Sequence, residues 1–419
     1  MKLIASLDIG TSKVVALLGE LDSYGDLHII GIGEAPSKGI ERGYITRLDL
    51  AVSSVLNAIK EAQEMSGIKL NNVILGISGY AIKSQNESDT VSISSQPVEI
   101  NPSHIERLIE RAITRSREEG YEVVSAIPRR YVLDDQEGIL DPVGLIGSKL
   151  SAEVHVIKVS SSLLRNIEKV VLSAGISIAD KFLSPLASAE AVLTLEEKEE
   201  GVLMIDMGAG LTDFVLFYEG SVFLTGSLPI GGLSITKDIA HFMKISVEQA
   251  EKVKIENGYA LADLVNEAER IKVKPRGEEK EVSVSRKQLA EVIQIRLEEI
   301  MENISEVIRA RGIDLDALYA GIVITGGCAK LAGIKEFLER YFDLPARIGY
   351  PMGVIGLKEK VQEPSYAAAV GLIKLALSQR DSMRGNYPTS SKMQEKEKAN
   401  TFNISNLISK FKSFFMDIM

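Results

Sequence analysis

The chain has 419 residues, of which 45% are hydrophobic and 25% are charged, so it should form roughly two to four folded units and is neither disordered nor fibrous overall. Its 48 basic and 58 acidic residues give a formal net charge of −10, which argues against a protein built mainly to coat nucleic acid. A single cysteine excludes an intramolecular disulfide, and the sequence shows neither a secretion signal nor the ~20-residue apolar run of a transmembrane helix. These features predict a cytoplasmic protein.

The N-terminal part predicts a β-hairpin followed by a strand, a helix and a buried strand. Two β-rich runs, KLIASL and KVVALLGEL, are joined by the turn Asp8-Ile9-Gly10-Thr11-Ser12. HIIGIGEAP reads as a third strand. Apolar residues from Leu50 to Gly67 have helical spacing, and NNVILGIS follows as a buried strand.

From about residue 84 the character changes, and a block of about 80 residues looks inserted. The polar stretch QNESDT leads to a strand VSISS, then a helix HIERLIERAITRSREE and a strand EVHVIKVS. Two further helices are predicted over Ser162 to Ala174 and Pro185 to Leu195. The block therefore interrupts the first part of the fold.

A new strand begins at Gly201 and reveals an internal repeat. LDIGTSKVVALLGEL and IDMGAGLTDFVLFYEG share an apolar run, an aspartate, a glycine turn and a second apolar run. Asp8 and Asp206 occupy the equivalent position in the two copies. A duplicated α/β core accounts for this pattern most economically.

The remaining body predicts mainly helices and one further strand with a glycine turn. The segment SVEQAEKVKIE is helical, EVSVS is a short strand, and a long helix covers Arg286 to Arg311. In LYAGIVITGGCAKLAGIKEFLERYF an apolar strand enters a helix through Thr325-Gly326-Gly327-Cys328. A small-residue helix, SYAAAVGLIKLAL, closes the body, and a polar Ser- and Lys-rich linker follows Ser378.

The last 16 residues predict an amphipathic helix that lies in a membrane interface. At about 100° per residue, the apolar residues of one face fall within an arc of roughly 140°. These residues are Ile404, Leu407, Ile408, Phe411, Phe414, Phe415, Ile418 and Met419. Lys410 and Lys412 lie at its two edges, where their stems can snorkel towards anionic headgroups. The alternative is a helix docked on the protein's own body.

The two aspartate-glycine hairpins and the third glycine turn together favour a metal-bound triphosphate as ligand. Glycine lets the backbone approach phosphates closely, and aspartates can hold Mg²⁺ directly or through its water shell. No GxxxxGK[ST] motif is present, so a P-loop is excluded. The four histidines lack the spacing of zinc ligands, and Cys328 is expected to be a small structural residue.

Five segments in order, LDIGTSKV, LASAEAVLTL, VLMIDMGAGLTDFVLF, VITGGCAKLAG and AAAVGLIKLA, resemble the nucleotide-site motifs of the superfamily of actin, sugar kinases and heat-shock-chaperone ATPases. Within it the chain resembles the FtsA family of bacterial cell-division proteins over essentially its whole length. One departure is Asp89-Thr90, where a glycine is expected nearby, and this puts a loop in doubt.

The resemblance implies an α/β, actin-like (duplicated ribonuclease-H-like) two-lobed ATPase fold with an inserted α+β subdomain and a C-terminal amphipathic helix. The implied units are a first core lobe (1–83 and 162–195), an inserted subdomain (84–161), a second core lobe (196–224 and 313–378), a small subdomain over the nucleotide (225–312), a linker (379–403) and a membrane helix (404–419).

The resemblance also assigns site residues. Asp8 and Asp206 would organise Mg²⁺. The residues implied to bind ATP are Gly10, Thr11, Ser12, Lys13, Gly208, Ala209, Gly210, Thr212, Glu251, Lys254, Gly326, Gly327 and Lys330. The alternative for Lys254 is that it lies on a solvated face of its helix and does not contact the nucleotide. Glu190 falls where superfamily members carry a group that orients the attacking water, and its alternative is a glutamate on the helix surface near the magnesium.

By the same resemblance, the protein is expected to bind ATP and Mg²⁺, self-associate into filaments and tether FtsZ to the cytoplasmic face of the cell membrane at the division septum. FtsZ would dock on 225–312, and later division proteins on 84–161. Hydrolysis would be weak at most. The alternatives are a sugar or acid kinase, a chaperone ATPase and a pilus-assembly adaptor of similar fold.

Overall fold

The computed structural model describes residues 2–384 of the chain. The predicted membrane helix 404–419 and the linker beyond residue 384 therefore lie outside the described residues. Within 2–384, no helix is both long enough and apolar enough to cross a bilayer.

The first part forms the predicted hairpin, strand, helix and strand. The elements are β1 (Lys2–Ile9), β2 (Lys13–Leu21), β3 (Leu27–Pro36), β4 (Ile40–Glu41), β5 (Tyr44–Ile45), α1 (Leu48–Ser66) and β6 (Asn72–Ile77). The hairpin register sets Asp8 opposite Val15. Helix α1 ends at Gly67, whose positive φ of 70° suits glycine because it has no side chain.

The inserted block folds as a sheet covered by one helix. Its elements are β7 (Ile82–Ser92), β8 (Val98–Glu99), α2 (Pro102–Arg115), β9 (Tyr121–Leu133), β10 (Gln136–Ile139), β11 (Ile146–Gly147) and β12 (Lys149–Ser160). The main sheet has the order β10-β9-β12-β7. The polar stretch QNESDT belongs to β7, because this strand pairs with β12 from Ile82 to Ser92. The prediction that QNESDT precedes a short strand VSISS was therefore wrong, because QNESDT is itself part of the strand.

The chain then returns to the first lobe through α3 (Ser161–Ser173), β13 (Ser177–Leu183), α4 (Ser184–Val192) and α5 (Leu195–Glu200). Strand β13 was not predicted, and it adds to the edge of the sheet beside β6. The single helix predicted over Pro185 to Leu195 is two helices. Thr194 separates them because its side chain accepts a hydrogen bond from the amide of Glu197 and starts α5.

The second lobe repeats the topology of the first. Its elements are β14 (Val202–Met207), β15 (Thr212–Tyr218), β16 (Ser221–Leu228), α6 (Gly232–Met243), α7 (Val247–Asn257), β17 (Arg270–Val273), β18 (Val282–Ser285), α8 (Arg286–Arg309), β19 (Gly321–Thr325), α9 (Ile334–Phe342), β20 (Ala346–Ile348) and α10 (Lys358–Val361). The last helix, α11 (Ala367–Arg384), packs on the sheet of the first lobe. The sheets have the orders β3-β2-β1-β6-β13 and β16-β15-β14-β19-β20. Strand directions also match, with two antiparallel and two parallel pairs in each. The structure thus supports the duplication.

Two helices join the lobes in the centre of the molecule. Every residue of α4 is buried, and α11 crosses it so closely that a Cβ on Gly371 would lie 1.7 Å from the carbonyl oxygen of Ala187. Helix α11 continues to Arg384, beyond Ser378, where the linker was predicted to begin. The core around α4 and α11 includes strand residues of both lobes, such as Leu7 and Met204.

The inserted sheet also contacts the second lobe, along strand β16. The Ser84 hydroxyl donates to the carbonyl of Thr225 (2.7 Å), and the fully buried His155 ring lies between Asn86 (2.6 Å) and the Thr225 hydroxyl (3.1 Å). Burial, together with the charges of Arg129 and Arg311, lowers the pKa of His155 to about 3, so the ring is neutral. We call this contact the β16 seam; it fixes the insert to the second lobe.

The β16 seam should contribute measurably to stability. Thr225→Val keeps the shape of the side chain but leaves buried His155 without one hydrogen-bond partner, which should lower the free energy of unfolding by about 1–3 kcal/mol. Chemical denaturation measures this change. Thr114→Val, in an exposed helix position, is the matched control and should change little. Equal effects of the two variants would contradict the assigned role.

Candidate functional site

The two aspartate-glycine turns meet between the lobes. In the first turn the amide of Gly10 donates to the carbonyl of Lys13 (3.0 Å), and in the second the amide of Gly208 donates to that of Leu211 (2.9 Å). The turns are therefore closed in the same way. They approach so closely that a Cβ on Gly210 would lie 2.5 Å from the Thr11 hydroxyl. Glycine is required at this contact between lobes.

Behind the turns lies an inner chamber of about 130 Å³ with an acidic floor. Three aspartates form the floor, of which Asp213 is buried and Asp8 and Asp206 are partly buried. Each accepts a hydrogen bond from a serine. The pairs are Ser184 with Asp8 (3.2 Å), Ser188 with Asp206 (2.5 Å) and Ser78 with Asp213 (2.7 Å). The last of these bonds crosses from the first lobe to the second. The chamber is thus built from both halves of the duplicated core.

The carboxyl groups of this floor have raised pKa values. Burial is the main cause in each case. It raises the pKa of Asp206 to about 7, with added repulsion from Asp213 and Asp8, and that of Asp213 to about 6, with added repulsion from Asp8. A cation placed in the chamber would favour the ionised forms. The floor is therefore suited to positive charge.

The donor set fits a hydrated magnesium ion better than a directly coordinated metal. Within residues 2–384, no group of three or more His, Cys, Asp or Glu side chains is arranged to hold a metal ion. Magnesium usually keeps several of its waters and binds few protein carboxylates. Asp8, Asp206 and Asp213 would accordingly hold Mg²⁺ through water.

An outer chamber of about 710 Å³ adjoins the inner one. The two share the turn residues Thr11, Ser12, Gly208, Ala209 and Gly327, together with Lys13 and Ser365. The outer wall combines polar side chains with a larger apolar area, contributed by Leu233, Ile235, Val247, Ile255 and Leu331. One chamber therefore offers polar turns and carboxylates, and the other offers an apolar wall and enough volume for a nucleoside.

Lys254 of helix α7 is held inside the outer chamber. Its ammonium donates to the Gly232 carbonyl (2.9 Å), the Thr236 hydroxyl (2.7 Å) and Glu251 (2.8 Å). The side chain is only 12% exposed, so Lys254 does not belong to a solvated helix face. Nearby, burial raises the pKa of the Cys328 thiol to about 11, which agrees with the structural role expected for it.

The third glycine turn lines the cleft but does not lead directly into a helix. Gly326 has a φ of 83°, and a Cβ there would lie 2.4 Å from a carboxylate oxygen of Asp206. The strand enters a short 3₁₀ turn, Gly327–Lys330, and helix α9 starts only at Ile334. A helix directly after the turn was therefore the wrong prediction.

The structure brings most of the predicted residues together around the two chambers. Those lining one or both are Asp8, Gly10, Thr11, Ser12, Lys13, Asp206, Gly208, Ala209, Gly210, Glu251, Lys254, Gly326, Gly327 and Lys330. Thr212 is not among the lining residues. It is fully buried in β15, and its hydroxyl donates to the carbonyl of Ile230 (2.8 Å). That bond engages the hydroxyl inside the second lobe, outside both chambers.

Glu190 also lies away from both chambers. Its carboxylate accepts from the ammonium of Lys198 (2.9 Å), and its carbonyl accepts from Lys374 (2.8 Å). Ser184 and Ser188 of the same helix face the aspartates, and a residue two positions after Ser188 is rotated by about 200° from it. The helix periodicity thus turns Glu190 away from both chambers. Glu190 is not an exposed glutamate, and its water-orienting role stays a prediction.

Sequence reasoning missed the third aspartate and the serines. Asp213 lies opposite Asp206 in the hairpin register, at the position that Val15 occupies in the first copy. The strand sequence TDFVLF was a usable signal, because it places a charged residue beside a run of apolar residues. Burying a charge costs free energy unless it is paired, hydrogen-bonded or bound to a metal. Ser78, Ser184, Ser188 and Ser365 carry no comparable signal, since serine is common in turns and helix starts.

Comparison with known proteins identifies the family. A family model described as "Cell division protein FtsA" matches residues 203–371, and one described as "SHS2 domain inserted in FTSA" matches residues 79–158. The chain is 39% identical to the cell division protein FtsA of Pseudomonas aeruginosa over 95% of both chains, and 36% identical to that of Neisseria meningitidis over 92% of both. The chain belongs to the FtsA family. Family membership decides against the sugar-kinase and chaperone alternatives.

Solved structures with similar folds confirm an actin-like architecture. The PilM-PilN type IV pilus biogenesis complex matches with a TM-score of 0.63 at 16% identity, and MreB5 of Spiroplasma citri bound to AMPPNP with 0.57 at 14%. Each match covers 92% of this chain and 99% of the other. At such identities the likeness concerns the fold alone, so the pilus protein lends no support to the pilus-adaptor alternative.

Asp89 and Thr90, where the sequence departs from the pattern expected of the FtsA family, lie in strand β7. Both residues pair with β12, and the buried carboxylate of Asp89 accepts a hydrogen bond from Arg111 (2.8 Å). Although burial raises the pKa of Asp89, hydrogen bonds from Arg111 and the Thr90 amide bring it below the usual value. The doubtful loop is therefore an ordered strand.

The acidic floor predicts a pH-dependent penalty on stability. Because the folded pKa of Asp213 is about 6, above its ordinary value, its contribution to stability is present at low pH and is lost as pH rises through 6. Without nucleotide or Mg²⁺, Asp213→Asn should leave the unfolding free energy near that of wild type at pH 4 and raise it by about 1–3 kcal/mol at pH 8.

Denaturant unfolding at both pH values measures this effect. Asp135→Asn, at an exposed position of the β9–β10 turn, is the control and should show no such pH dependence. An Asp213→Asn effect of the same size at pH 4 and pH 8 would contradict the raised pKa.

Proposed function

We propose that this FtsA-family protein is an ATP–Mg²⁺-binding, polymerising adaptor that tethers FtsZ filaments to the cytoplasmic face of the cell membrane. The observation that carries the proposal is the two-chambered cleft, whose acidic floor combines carboxylates of both lobes. MreB5, a fold neighbour, was solved with AMPPNP and with ADP, which adds support for a nucleotide as ligand.

In this proposal the cleft orients the nucleotide from the outer chamber to the inner one. The apolar wall takes the adenosine, with Glu251, Lys254 and Lys330 at its edge. The backbone of the two turns takes the phosphates, and Asp8, Asp206 and Asp213 hold hydrated Mg²⁺. In ATP–Mg²⁺, the metal ion neutralises the carboxylates of the inner chamber, and the phosphates contact the turns of both lobes.

Binding, rather than turnover, carries the signal in this proposal. Residues on both lobes contact the same ligand, so the bound form favours the closed arrangement of the lobes. A closed subunit presents one fixed shape for stacking into a filament. With Glu190 paired to Lys198, no general base is assigned, and any ATPase activity should be weak.

FtsZ is proposed to dock in a groove between α8 and α9, mainly on the small subdomain 225–312. The groove has a volume of about 870 Å³. Its walls combine an aliphatic residue, Ile295, which is 66% exposed, with the aromatic residues Phe337 and Tyr341. Lys287 and Arg340 add positive charge near Glu291, Glu298 and Asp263. Such a mixture suits a short peptide segment of FtsZ with both apolar and charged side chains.

The remaining partners are proposals from the family resemblance. The inserted subdomain 84–161 presents exposed apolar side chains near β11, including Leu140 and Ile146, as a surface for later division proteins. The C-terminal residues 404–419 would anchor the protein peripherally to the membrane at the septum. One such helix binds weakly, so neighbouring subunits of a filament would strengthen the attachment.

A single co-sedimentation experiment tests the tether. Full-length protein with ATP and Mg²⁺ should pellet FtsZ with anionic liposomes, whereas protein lacking residues 404–419 should leave FtsZ in the supernatant. Asp206→Ala should lose ATP binding and most of the cooperative attachment. Pelleting of FtsZ by the truncated protein to the full-length extent would refute membrane tethering, and unchanged ATP affinity of Asp206→Ala would refute the site.

The groove makes a separate prediction. Ile295→Glu places a charge on its apolar wall and should weaken FtsZ binding about tenfold or more, as expected for a central contact. Fluorescence anisotropy with labelled FtsZ measures the affinity. Leu172→Glu, on helix α3 at 59% exposure, is the matched control and should bind normally. Equal loss in both variants would contradict docking in the groove.

A further inference from the structure

Lys13, at the passage between the two chambers, is held by side chains that the proposed function does not use. Its ammonium donates to Glu34 (3.1 Å) and to the Ser365 hydroxyl (3.3 Å), and lies 4.0 Å from the ring centroid of Tyr366. Lys13 is 24% exposed and lines both chambers. We call these three partners the Lys13 cage.

The fold places the cage through strand register. Lys13 opens β2 opposite Pro36 of β3, and Glu34 is the diagonal neighbour two residues away on the same face of the sheet. Tyr366, only 2% exposed, donates its hydroxyl to the same carboxylate oxygen of Glu34 (2.6 Å) that accepts from Lys13. Glu34 is therefore fixed by two donors from different parts of the chain.

The protonation states of the cage keep these bonds in place. Burial acts to raise the pKa of Glu34, but the hydrogen bonds from Tyr366 and Lys13 and nearby positive charge bring it below its usual value. Burial and the charge of Glu34 raise the pKa of Tyr366 well above its usual value. Near neutral pH the carboxylate accepts and the hydroxyl donates, as the geometry requires.

The cage leaves part of the lysine's hydrogen-bonding capacity unused. An ammonium has three donors, and Glu34 and Ser365 accept from two of them. The ring of Tyr366 restricts the remaining freedom of the long side chain by a cation–π contact. A lysine held in this way loses less rotamer freedom when it binds a ligand phosphate than a freely moving one.

The turn that carries the cage is also tied to the second lobe. The carbonyl of Pro364 accepts from the amide of Gly326 (3.2 Å) and the hydroxyl of Thr325 (3.1 Å). Ser365 and Tyr366 come next in the chain and contact Lys13 in the first lobe. The short 3₁₀ turn Pro364–Tyr366 therefore fixes the position of Lys13 relative to the third glycine turn.

We propose that Glu34 and Tyr366 are positioning residues that hold the ammonium of Lys13 for the phosphate chain of the nucleotide. This inference rests on the proposed nucleotide binding. The role is indirect, since neither side chain is assigned a contact with the ligand, and both act through Lys13. The ligand class is a nucleoside polyphosphate, whose charge complements the third donor of the ammonium.

Two variants that preserve net charge test the inference. Tyr366→Phe keeps the ring but removes the hydroxyl that fixes Glu34, and Glu34→Asp keeps the carboxylate but shortens its reach. Each should weaken ATP binding about 3- to 10-fold, the size expected for the net contribution of one ordinary hydrogen bond, because the effect reaches the ligand only through Lys13. Titration of a fluorescent ATP analogue with Mg²⁺ measures the affinity. The control is Glu20→Gln, which lies on β2 like Lys13 but outside both chambers, and it should bind ATP as wild type does.

A double-mutant cycle separates positioning from general structural damage. If Tyr366 acts through Lys13, Tyr366→Phe should have no further effect in a Lys13→Met background, whereas a general loss of structure would weaken both backgrounds equally. Tighter ATP binding by Tyr366→Phe would show that Glu34 competes with phosphate, and it would overturn the inference. Absence of ATP binding by wild type would instead refute the proposed function.

Discussion

The structure depends on burying carboxylates of both lobes at one point. Asp8, Asp206 and Asp213 lie at the ends of hairpin strands from different sheets. Burial raises the pKa values of all three, and repulsion from neighbouring carboxylates raises those of Asp206 and Asp213 further. Such an arrangement costs stability unless protons, hydrogen bonds or a cation offset it. The serines of α4 and of the first lobe supply hydrogen bonds, and the remaining cost makes the floor suitable for a cation bound with phosphates.

The rest of the fold keeps that junction in register. Helices α4 and α11 cross in close backbone contact between the sheets, so the distance between the lobes is set by packing rather than by flexible side chains. The insert adds a second attachment through the β16 seam, with a neutral buried histidine. A subunit held at both places can respond to a ligand as a unit.

Much of the fold and most of the cleft could be predicted from local patterns. The aspartate-glycine hairpins were predicted because apolar runs and glycine turns are encoded within a few residues, and the repeat placed two of them in equivalent positions. Strand β13 and the polar part of β7 were missed, since their sequences lack a clear alternation and are specified by their neighbours, β6 and β12. Glu190 was misplaced for a related reason. The motif located its helix, but the rotation of that helix depends on what packs against each face.

The sequence by itself determined the duplicated core, the family resemblance and the residues of the three glycine turns, because these are short-range patterns of residue type and spacing. The tertiary structure alone decided which side chains share the cleft. It added Asp213 to the acidic floor, excluded Glu190 and Thr212, and placed Glu34 and Tyr366 around Lys13 although Tyr366 is far from both in sequence. The physical reason is that burial, hydrogen-bond partners and pKa depend on distances between elements, and these distances are set when the two sheets and the crossing helices pack together.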